Sequence, residues 1–262
     1  MNATPTPVGQ HVWYELMTTD LAGAEAFYAA VIGWTVQDSG QAGPRYDMLK
    51  VGDQAVGGMM ALPAEACAAG ARPAWHAYIT VADVDASAQA VAAEGGTVWV
   101  PGTDIPGVGR FSMVSDPGGA SFYLFSPLPG DAPPPLPAGT PGKFAWHELY
   151  AHDLDAAWAF YTRHFGWSEA DAIDMGEMGR YQLYRTAAGA DAAGGMMTRP
   201  PQVPRPCWLY YVNVPAIDAA VERITGAGGQ VLNGPMQVPG GQWIVNALDP
   251  QGAAFSLVAP AR

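Results

Sequence analysis

Two carboxylates occupy corresponding places in two similar stretches of the chain, and each lies two residues after a tryptophan. Glu15 follows Trp13, and Glu148 follows Trp146. Side chains two residues apart on a β-strand point to the same face, so each carboxylate is expected to share a face with an indole ring. A carboxylate in such a place can accept hydrogen bonds, attract a partly cationic ligand, or remove a proton as a general base. The sequence thus offers two candidate sites of the same composition.

The two stretches are copies of one another, which indicates an internal duplication. Residues 12–34 and 145–167 are identical at eleven of twenty-three positions, all at a shift of 133. The Asp-Pro pair that begins at Asp116 returns at the same shift at Asp249. Between these matched positions the shift departs from 133 and later returns to it. Insertions that cancel in this way belong in loops. We therefore expect a pseudo-symmetric protein with two domains.

A proline-rich segment separates the copies. From Ser126 to Lys143 the chain reads SPLPGDAPPPLPAGTPGK, and proline at this density excludes helices and interior strands. Such a composition favours an extended, semi-rigid linker. We therefore predict a first domain over residues 1–127, a linker over 128–143 and a second domain over 144–262.

Each copy contains two modules in which a strand and a helix precede three further strands. Asp20 and Asp153 stand before apolar residues at helical spacing and are predicted to cap the first helix of each copy. Gly33 and Gly166 lie where a helix commonly ends in a left-handed residue. A GGMM motif occurs in both copies, and its glycines are expected to let the backbone bend or approach a neighbour closely.

The order of these passages resembles the vicinal oxygen chelate superfamily, which includes glyoxalase I, bleomycin-resistance proteins and extradiol dioxygenases. The resemblance rests on TTDLAGAEAFYAAVIGW and HDLDAAWAFYTRHFGW, on ITVADVDASAQAVAAEGGTV, and on SMVSDPGGASFYLF and NALDPQGAAFSLV. It implies an α+β fold in which four βαβββ modules form two tandem half-barrel domains related by duplication. The family contains isomerases, oxygenases, metal-dependent transferases and passive drug binders, so the resemblance alone does not select a function.

Metal-binding members of this family take their ligands from fixed strand positions, and the resemblance places those positions mostly on residues that bind metals poorly. They are Trp13, His76, Tyr123, Trp146, Leu209 and Ser256. Among them only His76 is a good ligand, and tight divalent binding needs three or four converging donors. We therefore expect neither a metal nor another cofactor. One alternative is that Glu15 and His76 hold a divalent metal weakly, with waters completing its shell.

Strand alternation and the family's geometry together predict which side chains line the two cavities. The expected ligand contacts are aromatic: Trp13, Tyr78, Tyr123, Trp146, Tyr150 and Tyr211. Aromatic walls around a carboxylate suit a flat, partly cationic or hydrogen-bonding organic ligand. The alternative is that the same rings fill each half-barrel as core. The second strand of each copy adds Tyr46, whose face the alternation leaves open, and Tyr181.

Two classes of function follow from these residues. The first is a metal-free protein that sequesters a small aromatic molecule, as the bleomycin-resistance branch of the family does. The second is an enzyme of glyoxalase, hydroxylase or dioxygenase type, a lyase or oxidoreductase. In the enzyme, Glu15 or Glu148 would be the general base and His76 the acid or polar anchor. We favour binding and leave open whether the chain is an enzyme.

The amino-acid composition limits the classes of partner that the protein is expected to bind. The chain has 12 Lys and Arg against 24 Asp and Glu, and its net charge of −12 makes it a poor nucleic-acid binder. No apolar run approaches the roughly 18 residues that span a bilayer, and the sequence MNATPTPVGQ lacks the features of a signal peptide. Cys67 and Cys207 form no CxxC pair. We expect a cytoplasmic protein, a monomer or homodimer, with a small-molecule ligand and neither nucleic-acid nor membrane partners.

Overall fold

Two eight-stranded mixed sheets, one from each half of the chain, form the framework. The computed structural model describes residues 7–41, 43–130, 133–186, 189 and 191–262. Strand order is β2-β3-β4-β1-β5-β8-β7-β6 in the first sheet and β10-β11-β12-β9-β13-β16-β15-β14 in the second. The two orders correspond strand for strand, so the α+β fold with internal duplication and four βαβββ modules is confirmed.

The first sheet comes from the first two modules. Its elements are β1 (His11–Thr18), α1 (Leu21–Val31), β2 (Thr35–Asp38), β3 (Tyr46–Val51), β4 (Gln54–Ala61), α2 (Ala64–Ala68), β5 (Ala74–Thr80), α3 (Val84–Ala93), β6 (Thr97–Ile105), β7 (Gly109–Ser115) and β8 (Ser121–Pro127). Strands β1 and β4 pair in parallel, as do β5 and β8, whereas the hairpins within each module are antiparallel.

The second sheet repeats this plan. Its elements are β9 (Phe144–Ala151), α4 (Leu154–Phe165), β10 (Ser168–Asp174), a 3-10 turn (Gly176–Met178), β11 (Arg180–Arg185), β12 (Gly194–Thr198), β13 (Cys207–Asn213), α5 (Ile217–Gly226), β14 (Gln230–Gln237), β15 (Trp243–Leu248) and β16 (Ala254–Ala259). The described residues of 128–143 lie outside helices and strands, as the composition predicts. The first two residues of the proline-rich stretch, Ser126 and Pro127, instead end strand β8 and pair with Arg110 and Gly109, so the exclusion of interior strands was wrong there.

Local sequence accounts for the helix ends. The carboxylate of Asp20 accepts a hydrogen bond from the Gly23 amide, and Asp153 does the same for Ala156, so both predicted caps are confirmed. Gly166 ends α4 in the left-handed conformation, with φ of 65°. In the first copy the helix cap is Ile32 in right-handed geometry, and the positive φ falls one residue later, at Gly33.

The βαβββ plan implies a strand after the first helix of each copy, but the sequence pattern located neither of these strands, β2 and β10, nor helix α2. Strands β2 and β10 lie at sheet edges and are mostly exposed, and helix α2 buries none of its residues. An edge strand with two solvated faces lacks the apolar alternation that marks a half-buried strand. These elements are therefore set by pairing with β3 and β11, or by the loops around them, rather than by a local pattern.

The chain divides into two compact units, each of which combines parts of both copies. The first unit contains the chain up to Val12, His76–Ala132 and His147–Trp208. The second contains Trp13–Trp75, Pro133–Trp146 and Leu209–Arg262. A module of the first copy is thus packed with a module of the second copy in each unit. The predicted boundaries at residues 127 and 143 describe the duplication and stay a prediction for the domains.

Each unit contains a buried hydrogen-bonded triad that joins the two copies. In the second unit, the Tyr28 hydroxyl donates to Asp249 Oδ2 at 3.0 Å and accepts from Trp75 Nε1 at 2.8 Å. The same triad recurs in the first unit, where the Tyr161 hydroxyl, Asp116 Oδ2 and Trp208 Nε1 are joined by two bonds of 3.0 Å. Buried polar groups satisfied in this way favour one specific packing.

None of the helices in the described part of the chain combines the length and the apolar character that crossing a bilayer requires.

Candidate functional site

The first candidate site, in the second unit, is a chain of hydrogen bonds that ends on Glu15. Trp13 Nε1 donates to the Tyr46 hydroxyl at 2.7 Å, and the Tyr46 phenol is hydrogen-bonded to Glu15. Because the phenol oxygen accepts from the indole, its own hydrogen points to the carboxylate. Glu15 is buried, with 4% of its surface exposed, whereas Trp13 and Tyr46 are half-buried. A carboxylate therefore lies behind two aromatic rings that still reach solvent.

Strand register and one glycine explain this arrangement. Glu15 on β1 lies opposite Gly58 on β4, and Tyr46 on β3 pairs with Met60, two residues further along β4. A Cβ on Gly58 would lie 2.2 Å from the Tyr46 hydroxyl and 2.4 Å from Cζ. The ring therefore lies flat over the backbone of β4, where only glycine leaves room. The glycine of the GGMM motif thus permits the close approach predicted from the sequence.

In the first unit, the second copy likewise places a glutamate, a glycine and a tyrosine together. Glu148 on β9 lies opposite Gly195 on β12, and a Cβ on Gly195 would lie 2.3 Å from Cζ of Tyr181. Glu148 is 8% exposed and accepts a hydrogen bond from the half-buried Tyr150 phenol. Burial, followed by the Glu148 charge, raises the pKa of Tyr150, so the phenol remains a donor at neutral pH. The position of Tyr150 corresponds to Met17 in the first copy, where Tyr46 supplies the phenol instead.

Cys207 lies near Glu148. Burial, followed by the Glu148 carboxylate, raises the pKa of the Cys207 thiol to about 11. The thiol is therefore protonated at neutral pH, and a thiol is a much weaker nucleophile than a thiolate.

His76 occupies an aromatic cluster in the first unit. Its Nε2 lies 3.3 Å from Ser121 Oγ, and its Nδ1 has no hydrogen-bond partner among the residues that the structure describes. Burial, and then the charge of Arg205, lowers the pKa of His76 to about 4, so the imidazole is neutral at physiological pH. The Tyr78 and Tyr123 rings beside it stack at 4.2 Å and are each about 95% buried.

The corresponding place in the second copy, in the second unit, holds a polar network instead of stacked rings. Asn246 Nδ2 donates to the Tyr211 hydroxyl at 3.1 Å and to Ser256 Oγ at 2.8 Å. Asn233 in turn donates to Asn246 Oδ1 at 3.3 Å. The sequence analysis selected Tyr211 but missed Asn246, whose only signal was its alternation on β15 opposite Ser256.

The predicted catalytic residues do not all fall in one unit. Glu15 belongs to the second unit, and His76 and Glu148 belong to the first. The predicted ligand contacts Trp13, Trp146 and Tyr211 are in the second unit, and Tyr78, Tyr123 and Tyr150 are in the first. The roles of these residues therefore stay predictions.

The donor set does not fit a family-type metal site. Among the described residues there is no group of three or more His, Cys, Asp or Glu side chains placed to hold an ion. At the family positions, an indole nitrogen carries its proton and is no metal donor, and leucine has no donor atom. Whether the protein binds a metal in solution stays a prediction, tested below by metal analysis.

A cleft of about 300 Å³ lies elsewhere in the second unit. It is lined by the last turn of α1, Pro141, Pro215 and the first turns of α5, and Arg223 Nε closes one side by donating to the Val31 carbonyl at 3.0 Å. None of the predicted site residues lines this cleft.

Comparison with known proteins identifies relatives that match most of the chain. The model of the Glyoxalase/Bleomycin resistance protein/Dioxygenase superfamily matches residues 10–124 and again 143–257. "Putative glyoxylase CFP32" of Mycobacterium tuberculosis is 34% identical over 253 residues, which cover 95% of this chain and 94% of that protein. "Anthracycline biosynthesis protein DnrV" of Streptomyces peucetius is 29% identical over 263 residues, covering 95% and 93%.

Solved structures share the fold at low identity. The Mn(II)-bound glyoxalase from Novosphingobium aromaticivorans aligns with a TM-score of 0.66 at 18% identity, over 97% of this chain and 83% of that one. The 2,3-dioxygenase LapB from Pseudomonas sp. KL28 aligns with a TM-score of 0.63 at 13% identity, over 98% and 93%. With the family model matched in both halves, the chain belongs to the glyoxalase/bleomycin resistance protein/dioxygenase superfamily and carries its domain twice.

Proposed function

We propose that this protein binds a small, flat organic molecule, aromatic or partly cationic, on the Glu15 face of its first sheet, without a divalent metal. The observation that carries the proposal is the chain from the Trp13 indole through the Tyr46 phenol to Glu15. Glu148 with Tyr150 and Tyr181 offers the second copy of the same face.

Physical complementarity supports this ligand class. The half-buried rings of Trp13 and Tyr46 present apolar faces on which a planar ligand can stack. The buried Glu15 supplies an acceptor that favours a ligand carrying a positive charge or an N–H donor, and hydrogen bonds to a charged group contribute about 1.5–3 kcal/mol. DnrV is named for the biosynthesis of anthracyclines, which are flat aromatic compounds, and this name favours the same class.

The proposal also includes the cofactor, location, oligomeric state and partner expected from the sequence. No cofactor is required, the protein acts in the cytoplasm as a monomer or homodimer, and its partner is a small molecule rather than a nucleic acid or a membrane. The net charge of −12 supports a preference for cationic over anionic ligands.

Fluorescence titration tests the binding proposal. Tryptophan emission is followed as proflavine, a flat aromatic cation, or acridone, a neutral analogue of similar shape, is added. We expect proflavine to quench the emission saturably and to bind more tightly than acridone. The Glu15→Gln variant should bind proflavine about tenfold to a hundredfold more weakly, while the control Glu222→Gln, which changes an exposed residue on α5, should bind as wild type. Equal affinity of Glu15→Gln and wild type for proflavine would contradict the proposal.

Catalysis is the second candidate function, favoured by the 34% identity to a protein named a glyoxylase. Here Glu15 or Glu148 would act as general base, with the neutral, buried His76 as acid or polar anchor, in a lyase or oxidoreductase reaction. Turnover of the hemithioacetal of methylglyoxal and glutathione, measured with metal analysis of the purified protein, tests this. Turnover that Glu15→Gln or Glu148→Gln abolishes, and that Glu222→Gln retains, would establish the enzyme. Stoichiometric zinc, nickel, manganese or iron would contradict the metal-free proposal.

A further inference from the structure

Two histidines of the first unit stack on one another. The imidazoles of His11 and His147 lie 3.9 Å apart between ring centres, with planes inclined by only 8°. His147 Nδ1 lies 2.7 Å from the Ala193 carbonyl, and a carbonyl can only accept, so Nδ1 carries the proton. Within the described part of the chain, neither ring nitrogen of His11 has a hydrogen-bond partner. Among the described residues, no acceptor is therefore placed to receive a hydrogen bond from a protonated His11.

Aromatic rings enclose His11. Its ring centre lies 5.5 Å from Trp167, 5.8 Å from Trp208 and 6.4 Å from Tyr184. The backbone of the residues next to His11 in the sequence is hydrogen-bonded to other residues of the same unit. Trp167 Nε1 donates to the Gly9 carbonyl at 2.8 Å, and the Gly9 amide donates to the Thr80 carbonyl at 2.8 Å. Thr80 adds two bonds of 2.9 Å, since its amide donates to the Gln10 carbonyl and its hydroxyl accepts from the Gln10 amide. Residues 7–12 are thus held by these hydrogen bonds, by the start of strand β1 at His11, and by one imidazole placed among rings.

The second unit supplies an internal control, because the duplication repeats this arrangement with uncharged rings. Phe144 stands where His11 stands and Tyr14 where His147 stands, each at the shift of 133. Their rings stack at 3.7 Å with planes inclined by 14°. Trp34 Nε1 donates to the Gly142 carbonyl at 2.8 Å, as Trp167 does to Gly9. One unit therefore places a basic pair where the other has a phenyl ring and a phenol.

We propose that the His11–His147 pair is an acid-sensitive latch, whose protonation releases residues 7–12 from the first unit while the equivalent residues 140–145 of the second unit stay in place. This inference is independent of the proposed ligand. A positive charge on His11 would lie among aromatic rings and beside a second imidazole.

Electrostatics support the direction of the switch. Burial, and then the neighbouring His147, lowers the pKa of His11 well below its usual value, and burial lowers the pKa of His147 to about 4. The titratable groups that face His11 are the His147 imidazole and the Tyr184 phenol, and neither is negative below pH 7. The latched form is therefore neutral, while a released histidine binds a proton with a pKa near 6.5. Because the released form binds more protons, lowering the pH from 6.5 towards 4 favours release.

The size of the pH effect on release follows from the pKa of a released histidine. At pH 5 a released histidine with a pKa of about 6.5 is almost fully protonated, whereas the latched His11, whose pKa is lowered well below its usual value, is protonated much less. Release of His11 is therefore favoured at pH 5, relative to pH 7.5, by at most about thirtyfold.

Hydrogen exchange of the full-length protein, followed by mass spectrometry at pH 7.5, 6 and 5, tests the latch. Protection factors corrected for intrinsic exchange should fall at least tenfold by pH 5 for peptides covering residues 7–12, and should stay within twofold for residues 140–145. The His11→Phe variant, which copies the second unit, should keep its protection at pH 5. His152→Asn, at an exposed histidine, should behave as wild type.

Three results would overturn the latch: wild-type protection that persists at pH 5, equal loss in wild type and His11→Phe, or parallel loss at residues 140–145. If His11→Phe does not fold, imidazole NMR of the wild-type protein decides. We expect His11 to titrate together with the loss of protection at residues 7–12. Protonation of His11 with protection intact would refute the proposal.

Discussion

Gly58→Ala is the most informative substitution, because one methyl group should separate Tyr46 from Glu15. The added Cβ would lie 2.2 Å from the Tyr46 hydroxyl, 2.4 Å from Cζ and 2.5 Å from Cε1. Carbon atoms do not approach so closely, so the ring must move by about 1 Å or more. That displacement breaks the bond from Trp13, which is 2.7 Å long, and the bond to Glu15.

The expected loss of stability can be worked from these contacts. The neutral bond from Trp13 contributes about 0.5–1.5 kcal/mol, and the bond to the carboxylate about 1.5–3 kcal/mol. Alanine recovers about 0.5–1 kcal/mol, because it loses less backbone entropy than glycine in a strand. We therefore expect Gly58→Ala to lower the free energy of unfolding by about 1–4 kcal/mol and to weaken proflavine binding, as Glu15→Gln does.

Urea denaturation of a double-mutant cycle measures this. If the clash is the cause, Gly58→Ala should cost less than about 0.5 kcal/mol when Tyr46→Ala has already removed the ring. The control Gly226→Ala adds a Cβ that meets nothing within 4 Å at the end of α5, and should be neutral or slightly stabilising. Fully additive costs for Gly58→Ala and Tyr46→Ala would refute the reasoning.

Two further predictions concern buried groups. Tyr28→Phe and Tyr161→Phe each leave an indole N–H and a carboxylate without the shared hydroxyl, and each should lower the free energy of unfolding in urea by about 1–3 kcal/mol. A loss below about 0.3 kcal/mol in both would show that the triads contribute nothing. Because the pKa of Cys207 is raised to about 11, its alkylation by iodoacetamide should accelerate about tenfold per pH unit from pH 7 to 10. A rate that levels off below pH 9 would contradict the raised pKa.

The sequence predicts features that depend on neighbouring residues. The caps at Asp20 and Asp153, the order of the modules and the need for glycine before Met59 all follow from short patterns. The duplication strengthened each of these predictions, because the same pattern appeared at two places.

Features that depend on distant residues were missed. The bond between Tyr28 and Asp249 joins residues 221 positions apart, and nothing local in the sequence indicates it. Tyr46 reaches Glu15 because of the register between β1 and β4 and between β3 and β4. The sequence does not give this register, so it left open on which face of the sheet Tyr46 lies. The stacking of His11 on His147 also joins the two copies, and no spacing rule predicts it.

Isothermal titration of proflavine into protein treated exhaustively with a chelator tests the central claim most directly. If the Trp13, Tyr46 and Glu15 face binds its ligand without a metal, chelation should leave the affinity within twofold, and Glu15→Gln should weaken it at least tenfold. Binding that disappears on chelation and returns with an added divalent ion, or that is equal in wild type and Glu15→Gln, would contradict it.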